Sequence, residues 1–217
     1  MLKGLLQAFT AGVLLAASVG SANASSITVT GIGYGYTNVP MLLNGSTTVT
    51  NEYAVQILVN VGTRPYIAYC VDLFTGIGYD TYNTTIGNAM SYINGLRLAW
   101  VYTTYAGGVT NNDQAAAIQL AMWDIVHDNG DGLAAGNIRV QAGYSPTVVN
   151  QANSIIAASL GQTSYNATFL HNTVISSGAP AQTLITAYAA QIPEPSSMAL
   201  MGVGSLLTLF GWFRRKK

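Results

Sequence analysis

The long apolar segments of this chain lie only at its two ends, and this placement decides which part can fold as a globular body. Residues 4–19 and 196–213 carry no charged side chain, whereas the stretch between them is rich in Thr, Asn, Gly and Tyr. A polytopic membrane protein needs several internal spans of about 20 apolar residues, so that class is excluded. The 217 residues are predicted to form one folded domain between two processing segments.

Charged residues are scarce in the central part of the chain, and acidic ones outnumber basic ones there. Charged residues make up 7% of the sequence, against about 25% in an ordinary soluble domain. Between residues 25 and 192, three arginines stand against seven acidic residues. Phosphate binding needs clustered Lys and Arg, so we expect no nucleic-acid partner. The single cysteine excludes an intrachain disulfide framework and a Cys-rich zinc site.

Residues 1–24 have the order of a secretory signal peptide. Lys3 precedes the first apolar segment, and Ala22 and Ala24 supply the small residues of an A-x-A cleavage site. We therefore predict cleavage after Ala24. A retained N-terminal membrane anchor is the alternative, and the short apolar segment makes it the weaker one.

The other end, residues 193–217, combines a short motif, an apolar segment and a basic cluster. Pro193, Glu194 and Pro195 precede residues 196–213, and four basic residues follow. As a helix the apolar segment would span about 27 Å, close to the roughly 30 Å of a bilayer core. This order resembles the PEP-CTERM sorting signal of Gram-negative exopolysaccharide producers.

The resemblance implies a location and a processing partner. It implies export to the cell surface or extracellular matrix of a Gram-negative bacterium, transient anchoring in the inner membrane through residues 196–213, and processing by an exosortase-type enzyme. A polysaccharide or biofilm matrix is the implied setting. A plain C-terminal anchor helix is the alternative interpretation of the same residues.

Hydrophobic periodicity predicts strands, then a helical block, then strands again between residues 25 and 192, which is an α+β arrangement. The predicted strands are 26–36, 52–61, 66–74, 165–175 and 182–190. One helix is predicted from Asn88 to the Gly107-Gly108 stop, a second from Asn111 or Asn112 to Asp128, and a third from the Ser145 cap to Gly161.

Two polar residues are predicted to lie where apolar ones would be expected. Alternation along the 66–74 strand places Cys70 and Asp72 on one face. Helical spacing places Gln119 and Trp123 on one stripe of an Ala-rich helix, so the amide faces the core. A buried amide without partners costs about 1–3 kcal/mol. Gln119 therefore needs hydrogen-bond partners, or it has reacted.

Tyr-Cys-Val-Asp on a strand, followed by Gln-x-Ala-x-Trp on an Ala-rich helix, resembles a thioester domain of the kind found in Gram-positive surface adhesins. The resemblance implies a barrel-like β-sheet with an inserted helical block, and a cross-link between Cys70 and Gln119. It also implies covalent attachment to an amine-bearing surface or matrix molecule. The family usually has Thr before the Gln, where this chain has Ile118.

Three other side chains are candidates for supporting roles, and no cofactor is expected. Asp72 and Asp124 are candidates for orienting an incoming amine or moving a proton. Trp123 is a candidate for excluding water from the bond. Under this hypothesis the protein is a surface protein and not an enzyme.

Two other functions fit the same residues. One is a passive structural or carbohydrate-binding matrix protein, in which Cys70 is an inert buried thiol and Gln119 a satisfied core amide. The other is a cysteine hydrolase that pairs Cys70 with His127, which the predicted mid-strand position of the thiol beside an acid disfavours.

The segment from Asp128 to Gly132 has the composition of a calcium loop but lacks the acidic ladder of the helix-loop-helix motif. A helix-ending turn is the preferred interpretation. We therefore expect no metal site.

Overall fold

The computed structural model describes residues 24–174 and 180–187. Four strands, a helical block that contains one short strand, and two further strands follow one another along these residues, which confirms the α+β class. Short 3-10 turns at residues 89–91 and 106–108 flank the first helix. In chain order the elements are β1 (Ala24–Leu43), β2 (Val49–Val61), β3 (Arg64–Cys70), β4 (Thr81–Asn88), α1 (Gly95–Tyr105), α2 (Asn112–Asp128), β5 (Ile138–Val140), α3 (Pro146–Ala158), β6 (Thr168–Val174) and β7 (Pro180–Thr186).

The strands close into an antiparallel barrel. The sheet order is β2-β3-β7-β6-β4-β1-β5, and β1 also pairs with β2, which completes the ring. Ile27 of β1 has Val61 of β2 as its partner on one side and Tyr82 of β4 on the other. Closure leaves the strands no free edge along this stretch, which removes a template for aggregation. The long β1 continues past the ring and pairs with β5 at its C-terminal end.

Helix α2 is buried on all sides. Each residue from Ala115 to Val126 is at most 8% exposed, because the helix contacts β1, β2 and β3 of the barrel as well as α1 and α3. Its ends follow the predicted signals. The side chain of Asn111 accepts from the Gln114 N–H at 3.0 Å, and Asn129 ends the helix in the left-handed conformation. The predicted helix is confirmed. The sequence predicted that only the stripe with Gln119 faces the core, whereas the structure buries every face of the helix from Ala115 to Val126.

The predicted strand 66–74 is too long, since β3 ends at Cys70. The chain turns there, and the Asp72 carboxylate accepts the Phe74 N–H at 3.2 Å, a local bond typical of turns. Val71 and Leu73 are buried without being part of the strand. Cys70 is thus the last residue of a strand and not a mid-strand residue, and alternation does not relate it to Asp72.

The helix predicted from Asn88 begins only at Gly95. Met90 and Ile93, which suggested a helical face, are 71% and 64% exposed. Residues 81–88 form β4, which was not predicted, and β5 was missed as well. The predicted elements α3, β6 and β7 lie within a few residues of their expected positions, over the described residues.

No helix within residues 24–174 and 180–187 is long and apolar enough to cross a bilayer. The predicted signal peptide apart from Ala24, the Pro193–Pro195 motif and the predicted membrane segment 196–213 all lie outside the described residues.

Candidate functional site

The structure brings Cys70 and Gln119 into direct contact. The Cys70 backbone N–H donates to Gln119 Oε1 at 3.0 Å, and Gln119 Nε2 donates to the Cys70 carbonyl oxygen at 2.6 Å. Both residues are buried, with Gln119 fully inaccessible. The amide therefore has the partners that its burial requires, and its carbonyl carbon is held against the residue that carries the thiol.

Gln119 can pair with the Cys70 backbone because the hydrogen-bond ladder between β2 and β3 ends before Cys70. β2 pairs with β3 only as far as Ala68, so the N–H and C=O of Cys70 extend beyond the last β2 rung. On the other side, Cys70 has Leu184 of β7 as its register partner. The Gln119 side chain takes the place that β2 has left, because a primary amide has the same donor and acceptor as a peptide group. Gln119 thus completes the ladder in place of a strand.

The Cys70 thiol lies in a mostly apolar environment. Its Sγ–H donates to the Asp72 carbonyl oxygen at 3.1 Å, so Asp72 contacts the thiol through its backbone and not its carboxylate. Burial is the main reason why the pKa of Cys70 lies far above its ordinary value. Wherever Cys70 is unmodified, burial therefore favours the thiol over the thiolate.

Trp123 supplies an N–H group near the sulfur. The indole is 2% exposed, and its Nε1 has no hydrogen-bond acceptor within the part of the chain that is described. The indole N–H lowers the pKa of Cys70, opposing part of the effect of burial. Trp123 is therefore a buried donor near Cys70 without an acceptor among the described residues, and its supporting role stays a prediction.

A cavity of about 240 Å³ adjoins Cys70 and Trp123. It reaches the surface at Tyr53 and Tyr79, which are 62% and 70% exposed. Glu52 contributes a carboxylate to a lining that is otherwise mostly apolar. The cavity therefore lies between the buried Cys70 and Trp123 and these two exposed tyrosines.

The arrangement around His127 differs from that of a cysteine hydrolase. His127 packs edge-on against Phe74 at 4.9 Å between ring centroids, and the Cys70 thiol donates to a backbone carbonyl instead of to this ring. Burial lowers the pKa of His127 and raises that of Cys70, so neither group favours the ion pair of a catalytic thiolate.

Asp124 lies away from the Cys70 cavity. Its Oδ2 accepts the Gly132 N–H at 3.2 Å, and its carboxylate is close to those of Asp128 and Asp131. Burial, reinforced by these two carboxylates, raises the pKa of Asp124 to about 7. The only hydrogen bond of the Asp124 side chain within the described residues is to Gly132, and its supporting role for the Cys70 and Gln119 pair stays a prediction.

Residues 191–217 match the family model described as the PEP-CTERM protein-sorting motif. The prediction drawn from Pro193, Glu194 and Pro195 is confirmed. The chain is that of an exported, surface-anchored protein of a Gram-negative bacterium, and the motif implies exosortase processing. No curated protein matches the chain.

Two solved structures are similar in fold. The N-terminal thioester domain of a surface protein from Clostridium perfringens is 12% identical, with a TM-score of 0.40, and the match covers 70% of this chain and 99% of that one. The N-terminal domain of the Streptococcus pyogenes pilus tip adhesin Cpa is 11% identical, with a TM-score of 0.40 and coverage of 74% and 99%.

Proposed function

We propose that the exported domain forms an internal thioester between Cys70 and Gln119, and uses it to attach the protein covalently to an amine-bearing surface or matrix molecule. The observation that carries the proposal is the reciprocal pair of hydrogen bonds between the Gln119 amide and the Cys70 backbone. These bonds hold the electrophilic carbon and the residue that carries the nucleophile together inside a water-poor interior.

The bond-forming step is an acyl transfer. Cys70 Sγ attacks Gln119 Cδ, the Cδ–Nε2 bond breaks, and ammonia leaves with the thiol proton. Negative charge develops on Oε1 during the attack. The Cys70 N–H, 3.0 Å from that oxygen, is placed to stabilise it as an oxyanion-hole donor does.

Attachment reverses the roles of the two residues. The nitrogen of a primary amine attacks Gln119 Cδ, the Sγ–Cδ bond breaks, and an amide joins Gln119 to the partner. The amine proton passes to the departing sulfur, which becomes a thiol again. The cavity beside Cys70, with Glu52 in its lining, is the proposed route for the amine. The proposed setting is an exopolysaccharide or biofilm matrix, reached after transient anchoring through residues 196–213.

Intact mass spectrometry of the purified protein tests this proposal. We expect a mass lower than the sequence predicts by one ammonia, and a gain of one methylamine on treatment with that reagent. Cys70→Ala is the control and should have its full mass under both conditions. A full mass with a titratable thiol in the parent would contradict the proposal.

That contrary result would favour a passive structural or carbohydrate-binding matrix protein. The observation consistent with this second function is that hydrogen bonds alone already satisfy the buried Gln119 amide. A free thiol with Gln119 converted to Glu would instead mark a thioester that had formed and hydrolysed.

Trp123→Phe is expected to slow the opening of the thioester by methylamine about tenfold to a hundredfold. The departing thiolate would lose the indole N–H, and a hydrogen bond to a charged group is worth about 1.5–3 kcal/mol. The rate is measured by mass at fixed methylamine concentration. The matched control is Trp100→Phe, a half-buried tryptophan packed edge-on against Tyr105. Equal rates in the two variants would remove Trp123 from the mechanism.

A further inference from the structure

Three carboxylates converge where α2 ends. Asp124 and Asp128 are four residues apart and therefore lie on the same side of the helix. Asp131 follows in the next loop. One carboxylate oxygen from each of the three lies within 4.8 Å of the other two. Three like charges at this separation repel one another, and a cation among them or a proton on one carboxylate relieves the repulsion.

Asp124 gives an independent indication that a ligand is required. Its side chain is fully buried, and Oδ1 has no hydrogen-bond partner among residues 24–174 and 180–187. Its other oxygen accepts a single backbone N–H, from Gly132. A buried carboxyl oxygen without a hydrogen-bond partner or a bound cation destabilises the fold. Within the described residues, Asp124 Oδ1 therefore lacks a hydrogen-bond donor, and a bound cation would satisfy it.

The loop that follows α2 is shaped to hold the carboxylates together. Gly130 and Gly132 have φ angles of 80° and 101°, in the left-handed region that favours glycine. Gly136 also has a positive φ, and a Cβ there would lie 2.7 Å from Asp128 Oδ2 and 2.8 Å from Asp131 Oδ2. The backbone at Gly136 therefore approaches both carboxylates so closely that a side chain there would require them to move.

The guanidinium of Arg97 lies near this loop but is engaged by neutral acceptors. Its Nε donates to Ser159 Oγ at 2.8 Å, Nη1 donates to the Asn129 carbonyl at 2.8 Å, and Nη2 donates to the Ile156 carbonyl at 3.0 Å. Arg97 thus ties α1 to the end of α2 and to α3. Its hydrogen bonds do not supply the partner that Asp124 Oδ1 needs.

We infer that Asp124, Asp128 and Asp131 bind a calcium ion. One carboxylate oxygen from each residue lies within 4.8 Å of the other two, close enough for all three to share one ion. Calcium takes six to eight oxygen ligands in a flexible geometry, whereas magnesium usually keeps several waters and binds through one or two carboxylates. Three converging carboxylates therefore favour calcium. Backbone carbonyls and water complete the coordination.

The sequence predicted no metal site because the acidic loop by itself has too few ligands. The inferred site differs because Asp124, inside α2, supplies a further ligand. It is also separate from the proposed thioester chemistry. The ion joins the C-terminal end of α2 to the segment that leads into β5. Since α2 carries Gln119 and Trp123, calcium would stabilise the helix that positions the reactive pair.

Calcium titration of the full chain, purified in mild detergent and stripped with EDTA, tests the inference. Binding is followed by calorimetry and by the midpoint of thermal unfolding, with CaCl₂ and MgCl₂ compared. We expect saturable calcium binding with a Kd on the order of 10⁻⁴–10⁻³ M, as in extracellular modules, and weaker magnesium binding. Asp124→Asn is expected to abolish calcium binding.

Asp131→Asn is the more conservative variant, because its side chain is exposed and its loss leaves the helix intact. We expect it to weaken calcium binding at least about tenfold, since one of three charged ligands is lost. The matched control is Asp80→Asn, an exposed loop carboxylate that accepts the Thr81 N–H. No saturable calcium effect in the parent, equal affinity in parent and Asp131→Asn, or magnesium binding as tightly as calcium would each overturn the inference.

Discussion

Replacing Gln119 with glutamate is expected to destabilise the fold strongly at neutral pH and only weakly in acid. An ionised carboxylate accepts from the Cys70 N–H but cannot donate to the Cys70 carbonyl, which is left buried without a donor. The variant also buries a charge. Together these effects are expected to lower the free energy of unfolding by about 3–5 kcal/mol at pH 7, a large part of a typical domain's stability.

The pH dependence has a definite sign. Burial raises the pKa of the introduced carboxyl in the folded state above its unfolded value of about 4.3. Stability is therefore fully present below that unfolded value and is lost as the pH rises through the folded pKa. Denaturant unfolding between pH 4 and pH 7 measures this loss, in a Cys70→Ala background so that no thioester forms in either chain.

Gln114→Glu provides a matched control on the same helix. Gln114 is half-buried in the first turn, where its Oε1 accepts the Thr110 N–H at 2.8 Å, a bond that a carboxylate retains. Negative charge near a helix N-terminus is favourable, so this variant should lose little or no stability. A pH-independent loss in Gln119→Glu, or equal losses in the two variants, would contradict the ladder role of the Gln119 amide.

The second large expected effect is that the folded protein protects Cys70 from alkylation in molecules where Cys70 is a free thiol. In the folded chain it should react with iodoacetamide at pH 8 roughly a thousandfold more slowly than in denaturant. The reasons are burial of the sulfur, which also raises the pKa of the thiol, and the Sγ–H bond to the Asp72 carbonyl. The measurement is the rate of mass gain, on the fraction of protein that carries no thioester.

A cysteine placed at an exposed position gives the comparison. Ser91→Cys in the Cys70→Ala background should react at similar rates in the folded and unfolded states, since Ser91 is exposed. Rapid labelling of Cys70 in the folded chain would show that the interior admits water and reagents. A thioester would not survive in such an interior, so this result would also weaken the proposed function.

The sequence predicted a helix correctly where capping residues mark both of its ends. Helix α2 begins and ends as expected because Asn111 and Asn129 satisfy its terminal groups within a few residues. β4 was missed because Thr81–Asn88 lacks apolar alternation, and its pairing with β1 and β6 forms the strand. Apolar spacing at Met90 and Ile93 favoured a helix, although the fold leaves both side chains exposed.

The sequence predicted which residues belong to the candidate site, but not how they are arranged. The resemblance selected Cys70, Gln119 and Trp123, and the structure places them together. The role of Gln119 as a ladder rung depends on where β2 leaves β3, which is a property of barrel closure and not of local sequence. The cluster of Asp124 with Asp131 likewise depends on how the loop folds back on α2.

β7 is the last of the described strands, and it lies between β3 and β6 with hydrogen bonds to both. On a chain held at the cell surface by its C-terminal end, mechanical tension would enter the barrel through this strand. A pull along β7 loads two ladders in shear, and Leu184 on β7 is the register partner of Cys70. The breaking force of an attachment made at Gln119 would then be set by these ladders, since the covalent link itself is far stronger.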